Sequence, residues 1–174
     1  RSLVGSEMCI RDRSEHVITG IAGHKDFAII NVEKAMMNSE IGFGRKLLQA
    51  LEEQGISFEH MPSGIDTMCV VVHEDAIVGK KEKLMQRIHE LCAPDSVEIH
   101  SGLALIATVG RGMVRSKGIS ARLFNALMKA GINVRLIDQG SSELNIIVGV
   151  DNLDFENAVR AIYRAFVVKE NNRW

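Results

Sequence analysis

Apolar residues fall into short unbroken runs that alternate with amphipathic stretches. FAIINV (Phe27–Val32) and LALIATV (Leu103–Val109) are strand-length apolar runs. A loop and then a helical spacing follow each. Ile41, Leu47, Leu48 and Leu51 mark the stripe of the first helix; Ile119, Leu123 and Leu127 mark the second at i, i+4, i+8. Gly55 and Gly131 stop these helices, where a left-handed residue costs glycine little. ISFEHM and INVRLI predict short second strands, and TMCVVV and ELNIIVGV predict third strands. Turn residues lie between, Pro62-Ser63-Gly64 and Gln139-Gly140-Ser141-Ser142. A further helix closes each pattern, spaced by Leu84, Ile88, Leu91 in one and Val159, Tyr163, Phe166 in the other, with Asp154 as N-cap of the latter.

The chain therefore repeats itself. Sliding it by 76 residues lays Phe27–Val72 on Leu103–Val148 without a gap, and the matches sit on apolar and glycine positions, such as Gly42 on Gly118 and Leu47 on Leu123. Each copy reads β-α-β-β-α and needs a fourth strand. The first has VEIHSG (Val97–Gly102) for it, whereas only VVKENNRW follows Phe166 in the second. A surplus strand, HVITGIAG (16–23), precedes the first copy and completes the second sheet. The expected fold class is α+β: two ferredoxin-like βαββαβ units with four-stranded antiparallel sheets and helices on one face, interlocked by the N-terminal strand. The first unit covers 24–102, and the second covers 103–168 plus strand 16–23, with a tail at 169–174. Residues 1–14 show neither period, and no signal-peptide apolar region or cleavage site. They read as a non-native leader, or else as a native disordered linker, outside the fold. One sheet face per unit stays open, which predicts pairing of units and a homodimer.

Charge narrows the function classes. Lys and Arg number 21 against 22 Asp and Glu, a formal net charge of −1, so neither a nucleic acid nor an anionic membrane is an expected partner. No apolar run approaches the ~20 residues of a membrane span. Three widely spaced cysteines (Cys9, Cys69, Cys92) form neither a disulfide framework nor a zinc motif, and a reducing cytoplasmic setting is expected. The six histidines (His16, His24, His60, His73, His89, His100) form no metal motif, and no serine sits in a nucleophile elbow. Gly110-Arg111-Gly112-Met113-Val114-Arg115 has Arg115 where a dinucleotide fingerprint needs its third glycine, and Glu74 stands where a phosphate loop ending at Gly79-Lys80 needs its first. The exposed aromatics of an RNA-binding sheet are missing too.

The loop before the first helix offers more: Met36-Met37-Asn38-Ser39-Glu40-Ile41-Gly42-Phe43-Gly44. Backbone N–H groups at a helix start favour a carboxylate. Ser39 or Asn38 capping the helix is the alternative. Opposite lies a strand with Ser57, Phe58 and Glu59, whose carboxylate suits an ammonium group. A zwitterionic amino acid offers both charges.

Four segments carry a resemblance. FEHMPSGIDTMCVVV (Phe58–Val72), SGLALIATVGRGM (Ser101–Met113), GISARLFNALMKAGINVRLIDQGSSELNIIVGV (Gly118–Val150) and AVRAIYRAF (Ala158–Phe166) resemble the regulatory portion of aspartate kinase, with its two tandem ACT domains. QGSSELNI after GINV is the most specific part. The resemblance implies an enzyme that phosphorylates aspartate with ATP and Mg, the first step toward lysine, threonine and methionine. It implies ACT domains that bind lysine or threonine and shift the enzyme to an inactive state. The implied effector site falls on Met37, Ser39, Ile41, Gly42 and Phe43 of the helix loop, on Ser57, Phe58 and Glu59 of the next strand, and on Ser63 and Gly64 beyond. Asn133 and Val134 match residues that face that site across a dimer. The family's Lys-Phe-Gly-Gly signature and kinase domain are not in this sequence, so this chain by itself is expected to use no cofactor and to phosphorylate nothing. Lysine-responsive relatives often have Asp at the place of Glu59 and Ser or Thr at that of Gly64. Lysine against threonine stays open, Glu59 favouring lysine because a second cation seeks that carboxylate. An effector-free dimerisation module is the other reading.

Overall fold

The structure, a computed structural model, describes residues 8–9 and 17–167. The remainder of the 1–14 leader, His16 and the 169–174 tail lie outside the described residues. Two compact units divide the described chain: residues 26–103, and residues 8–9 and 17–25 with 104–167. The N-terminal strand thus belongs with the second copy of the repeat, and the units interlock through the chain.

The elements are β1 (Met8–Cys9), β2 (Gly20–Glu33), α1 (Phe43–Glu53), β3 (Thr67–His73), α2 (Glu74–Ile77), α3 (Lys81–Cys92), β4 (Ser96–Val109), α4 (Ile119–Lys129), β5 (Leu136–Asp138), β6 (Asn145–Asp151) and α5 (Phe155–Phe166). Gly20–Gly23 of HVITGIAG and the whole of FAIINV share the continuous strand β2, whereas 17–19 lie before it, and VEIHSG and LALIATV share β4. Asp26 (φ 67°) and Gly102 (φ 79°) interrupt the extended backbone at the point where each strand leaves one unit and enters the other. Met8 and Cys9 pair with Ile21 and Gly20 of β2.

In the 26–103 unit, β2 pairs antiparallel with β3 from Phe27↔His73 to Glu33↔Thr67. β4 adjoins β2 on its other side. Bridges His60↔Val71 and Ser63↔Met68 add the outer strand. This second strand is only a pair of bridges, because Pro62 within it has no N–H to donate. Alternation along the strands sends Ala28, Ile30, Val32, Met68, Val70 and Val72 to the helix side, where Leu47, Ala50 and Leu51 of α1 and Leu84, Ile88 and Cys92 of α3 cover them. Arg87 bridges the two helices, its Nε 2.6 Å from Glu53 Oε2 and its Nη2 donating to Glu53 Oε1 at 3.0 Å. The guanidinium holds the Glu53 carboxyl down at about 2.

The other unit repeats the plan with β2's first residues, β4's second half, β6 and β5 as its sheet. Ile18, Ile21, Ala104, Ile106, Val148 and Val150 meet Leu123 and Leu127 of α4 and Ala158 and Ile162 of α5. Lys25 closes the unit's edge on Glu156 at 2.6 Å.

Four local expectations change. Ile41 is not part of the α1 stripe: it precedes the helix and is 98 % exposed, and Phe43 supplies the buried position instead. Neither Ser39 nor Asn38 caps α1. Residues Met37–Ser39 form a separate 3-10 turn in which Ser39 Oγ donates to Met36 O at 2.7 Å, and Gly42 in the left-handed region (φ 81°) opens the helix with no side-chain cap. Asp154 stands at the N-cap of α5 but makes no side-chain cap hydrogen bond; Asp151 caps the short turn before it by accepting from Leu153 N–H at 3.0 Å. Finally, the gapless repeat slips by two residues after the second turn. Lys34 N–H donates to Asp66 O, and its counterpart Gly110 N–H donates to Leu144 O, so β6 follows β3 at an offset of 78 instead of 76. A shift of two keeps every side chain on its face.

The repeat also exposes an anomaly. Thr108 occupies the place of Val32, is fully buried, and its Oγ1 has no hydrogen-bond partner among the described residues. A buried hydroxyl without a partner costs about 1–3 kcal/mol. Thr108→Val is therefore expected to stabilise the protein by about 1 kcal/mol and to raise the melting temperature by roughly 2–4 °C. A thermal melt that falls or stays flat sinks this account.

Candidate functional site

The α1 start is built by polar residues that bind backbone. Ala35 N–H donates to Asp95 Oδ2 at 2.7 Å and Met36 N–H to Asp66 Oδ1 at 2.8 Å. These two bonds hold Met36 in the left-handed region at φ 59°. Asn38 N–H donates to Ile65 O at 3.2 Å, which lays the 3-10 turn against the turn before β3. Glu40 sits between Lys34 (2.5 Å) and Lys46 (2.6 Å), and these two cations lower its pKa. Lys34 also donates to Cys92 O at 2.6 Å and lies 5.6 Å from the Phe43 ring centroid. The whole loop is thereby pinned to β3, α1 and the end of α3. None of these partners was visible in the hydrophobic pattern; their only sequence signal is charge at the strand and helix ends.

The proposed site residues separate into groups. Met37, Ser39, Ile41, Gly42 and Phe43 lie at the α1 start. Ser63 and Gly64 join them: Ser63 bridges Met68, and the Met68 side chain lies under Gly44, where an added Cβ would come within 3.6 Å. Met37 and Phe43 are each 3 % exposed, so their side chains belong to the core and only their backbone faces the loop. Ser39, Ile41, Gly42, Ser63 and Gly64 are exposed.

Ser57 and Phe58 lie at the opposite end of α1. They line a shallow, mostly apolar groove of ≈ 570 Å³ with Leu48, Leu51, Glu52, Gly55 and Ile56. Gly55, left-handed at φ 63°, turns the chain there. Glu59 N–H donates to Val71 O at 2.8 Å, and its carboxylate lies 3.6 Å from His73 Nε2. Glu59 thus stands level with Val71 while Ser63 stands level with Met68, roughly 10 Å apart at the strand rise. One copy does not bring the loop and Glu59 into a single pocket. Asn133 and Val134 belong to the other unit, Asn133 exposed and Val134 half-buried against that unit's core. Among the described residues, no group of three or more His, Cys, Asp or Glu could hold a metal ion, and no helix is long and apolar enough to cross a membrane.

Known proteins match this arrangement. The family model described as ACT domain matches residues 106–166. Aspartokinase 3 of Bacillus subtilis is 40 % identical over 157 residues, which is 90 % of this chain. The crystal structure of Clostridium acetobutylicum aspartate kinase superposes with a TM-score of 0.83 at 55 % identity over 86 % of this chain. The chain matches the ACT regulatory region of aspartate kinases. The ACT region spans about a third of these relatives, 35 % of the B. subtilis protein and 34 % of the C. acetobutylicum chain. The regulatory subunit of aspartate kinase from Thermus flavus shares the fold with a TM-score of 0.73 at 24 % identity, and there this ACT region covers 98 % of the other chain. The α+β expectation, with its interlocking N-terminal strand, holds in the ACT units described above.

Proposed function

We propose that this ACT region senses an amino acid, lysine or threonine, and through it regulates an aspartate kinase by feedback. The observation that carries the reading is the α1 start: a pinned loop that ends in left-handed Gly42 with no side-chain cap, on the same unit as an outer strand whose Glu59 carboxylate is exposed. Backbone N–H groups at such a helix start suit the effector carboxylate, and Glu59 suits an ammonium group. The two halves stand roughly 10 Å apart in one copy. A homodimer paired along the outer strands would bring one copy's Glu59 to its partner's loop, with Ser57, Phe58, Ser63 and Gly64 between; the resemblance to aspartate kinase implies that Asn133 and Val134 face that site across the dimer. Kinship supports the effector: the C. acetobutylicum enzyme is described as allosteric, and Escherichia coli aspartokinase III has been solved in complex with lysine and aspartate. Lysine is the favoured effector because its second cation has Glu59 to meet. Regulation follows if the bound effector favours one dimer arrangement over the other. ATP and Mg would serve the kinase portion of the full-length enzyme, with which this region would associate, not the residues of this region.

Titration calorimetry of the chain with lysine and with threonine tests the proposal. Lysine at 100 times its Kd is expected to raise the melting temperature by roughly 5–10 °C. Glu59→Ala and Ser57→Ala are expected to remove the shift without changing the dimer mass. A dimer that takes up neither amino acid at millimolar concentration would mean a pairing module without an effector. A shift that survives both substitutions would place the pocket elsewhere.

A further inference from the structure

We propose that Glu40, gripped by Lys34 and Lys46, is a positioning residue that holds the α1 start in the shape an effector carboxylate needs; the inference rests on the effector reading above. Each carboxylate oxygen takes one ammonium. Oε2 lies 2.5 Å from Lys34 Nζ, just past the end of β2, and Oε1 lies 2.6 Å from Lys46 Nζ in the first turn of α1. The two pairs close residues 34–46 into a ring through Glu40, and Met37, Ser39, Ile41, Gly42 and Phe43 all lie inside it. Lys34 Nζ also donates to Cys92 O at 2.6 Å, which anchors this clamp on the last residue of α3. The side chains of Lys34, Glu40 and Lys46 are only 22 %, 26 % and 32 % exposed, so water and salt screen these pairs less than pairs on an open surface.

The internal repeat separates what the fold requires from what this loop adds. In the second copy Gly110, Ser116 and Arg122 stand at the places of Lys34, Glu40 and Lys46. No carboxylate stands between two cations there, and Arg122 lies 5.0 Å from the Phe166 ring centroid instead. Yet α4 opens as α1 does, on a left-handed glycine, Gly118 at φ 81°, with no side-chain cap. The fold thus builds this helix start without the clamp. Glu59 follows the same division, because its counterpart is Arg135. Clamp and receiving carboxylate occur together, in the copy that the effector reading uses. What the clamp adds is preorganisation. A loop ordered in advance keeps its N–H groups aimed before the ligand arrives, so binding does not carry the entropy loss of ordering it.

Calorimetry on the whole chain with lysine, or with threonine if only that binds, tests the inference well below the melting temperature. Glu40→Gln keeps the side-chain shape and removes the charge, and is expected to weaken the Kd roughly tenfold. Lys46→Met is expected to match it, and Lys46→Arg, which restores the cation, to stay within about twofold of the wild type. Hydrogen exchange follows the loop itself. The amides of Asn38, Ser39, Glu40 and Phe43, each hydrogen-bonded to a backbone carbonyl, are expected to exchange faster in ligand-free Glu40→Gln and to regain protection with saturating effector. A melting temperature that falls in Glu40→Gln and Lys46→Met while the Kd stays put means a purely structural clamp; it overturns the inference and leaves the effector reading standing. Weaker binding with unchanged exchange, or a Lys46→Arg protein as weak as Lys46→Met, puts the clamp in contact with the effector and overturns the positioning role. A wild-type chain that takes up neither amino acid overturns the effector reading and this inference with it.

Discussion

Replacing Gly110 by alanine is expected to cost about 3 kcal/mol and to lower the melting temperature by roughly 6–12 °C. Gly110 directly follows β4, at the point where the N-terminal segment arrives. A Cβ there would stand 2.3 Å from Val17 O and 2.6 Å from Ile18 Cα. Both are backbone atoms, so no rotamer change relieves the clash. Movement of the segment would break Thr19 N–H to Val109 O, a 2.7 Å bond, and would lift Ile18 and Ile21 out of the helix-side core. Hydrogen exchange should locate the damage: amides of 18–23 lose more protection than those of 67–73 in the other unit, which fall only with the global stability. Gly140→Ala is the control, because a Cβ there meets only Ser142 Oγ at 4.0 Å. A Gly110→Ala protein that melts with the wild type would mean that the interlocking strand is not held by this close approach.

The sequence made the interlock visible by counting strands, since the second copy had no candidate after Phe166 and a surplus strand stood before the first. What held that strand was not visible. The glycine of Gly110-Arg111-Gly112 reads as loop freedom, and nothing in one sequence says which backbone crosses it. The repeat was legible for the same reason that its slip was not. Apolar matching tests only which face a residue takes, and a two-residue shift in a strand changes no face. Hydrogen bonds from Lys34 and Gly110 decide the register, and these depend on turn geometry that the two copies do not share.

Ile41 shows the limit of spacing arguments at a helix start. It fits the stripe by residue type, but Gly42 begins the helix one residue later in the left-handed region and leaves Ile41 in solvent. The candidate site was legible as a loop and a strand, and the resemblance placed its residues. Its interior was not legible, because the residues that shape it act across long separations: Asp66 on Met36, Asp95 on Ala35, His73 on Glu59. Charge at an element end carries no period, so each of these reads in sequence as solvated surface.

Leu123→Ala is expected to cost about 3–4 kcal/mol, within the range for a leucine truncated in a core that collapses only in part. Leu123 is fully buried on α4 among Ile21, Ile106, Val148 and Ile162. Leu47, its counterpart 76 residues earlier, is equally buried on α1 among the residues of a different core. The pair of substitutions therefore asks how far a loss in one core is felt by the other. If each unit opens by itself, Leu123→Ala lowers hydrogen-exchange protection in β6 and leaves β3 protected, and Leu47→Ala does the reverse. The chain argues against that independence. β2 and β4 each give residues to both cores, Ile21 and Ala28 in the one, Val97 and Ile106 in the other. Opening either unit frees half of two strands whose other halves complete the second sheet. The expected result is a single denaturation transition in which both substitutions lower protection in β3 and β6 alike, each by about 3–4 kcal/mol. Two separate transitions, with only the substituted unit shifted, would show that Asp26 and Gly102 act as hinges that let the halves of each strand part company.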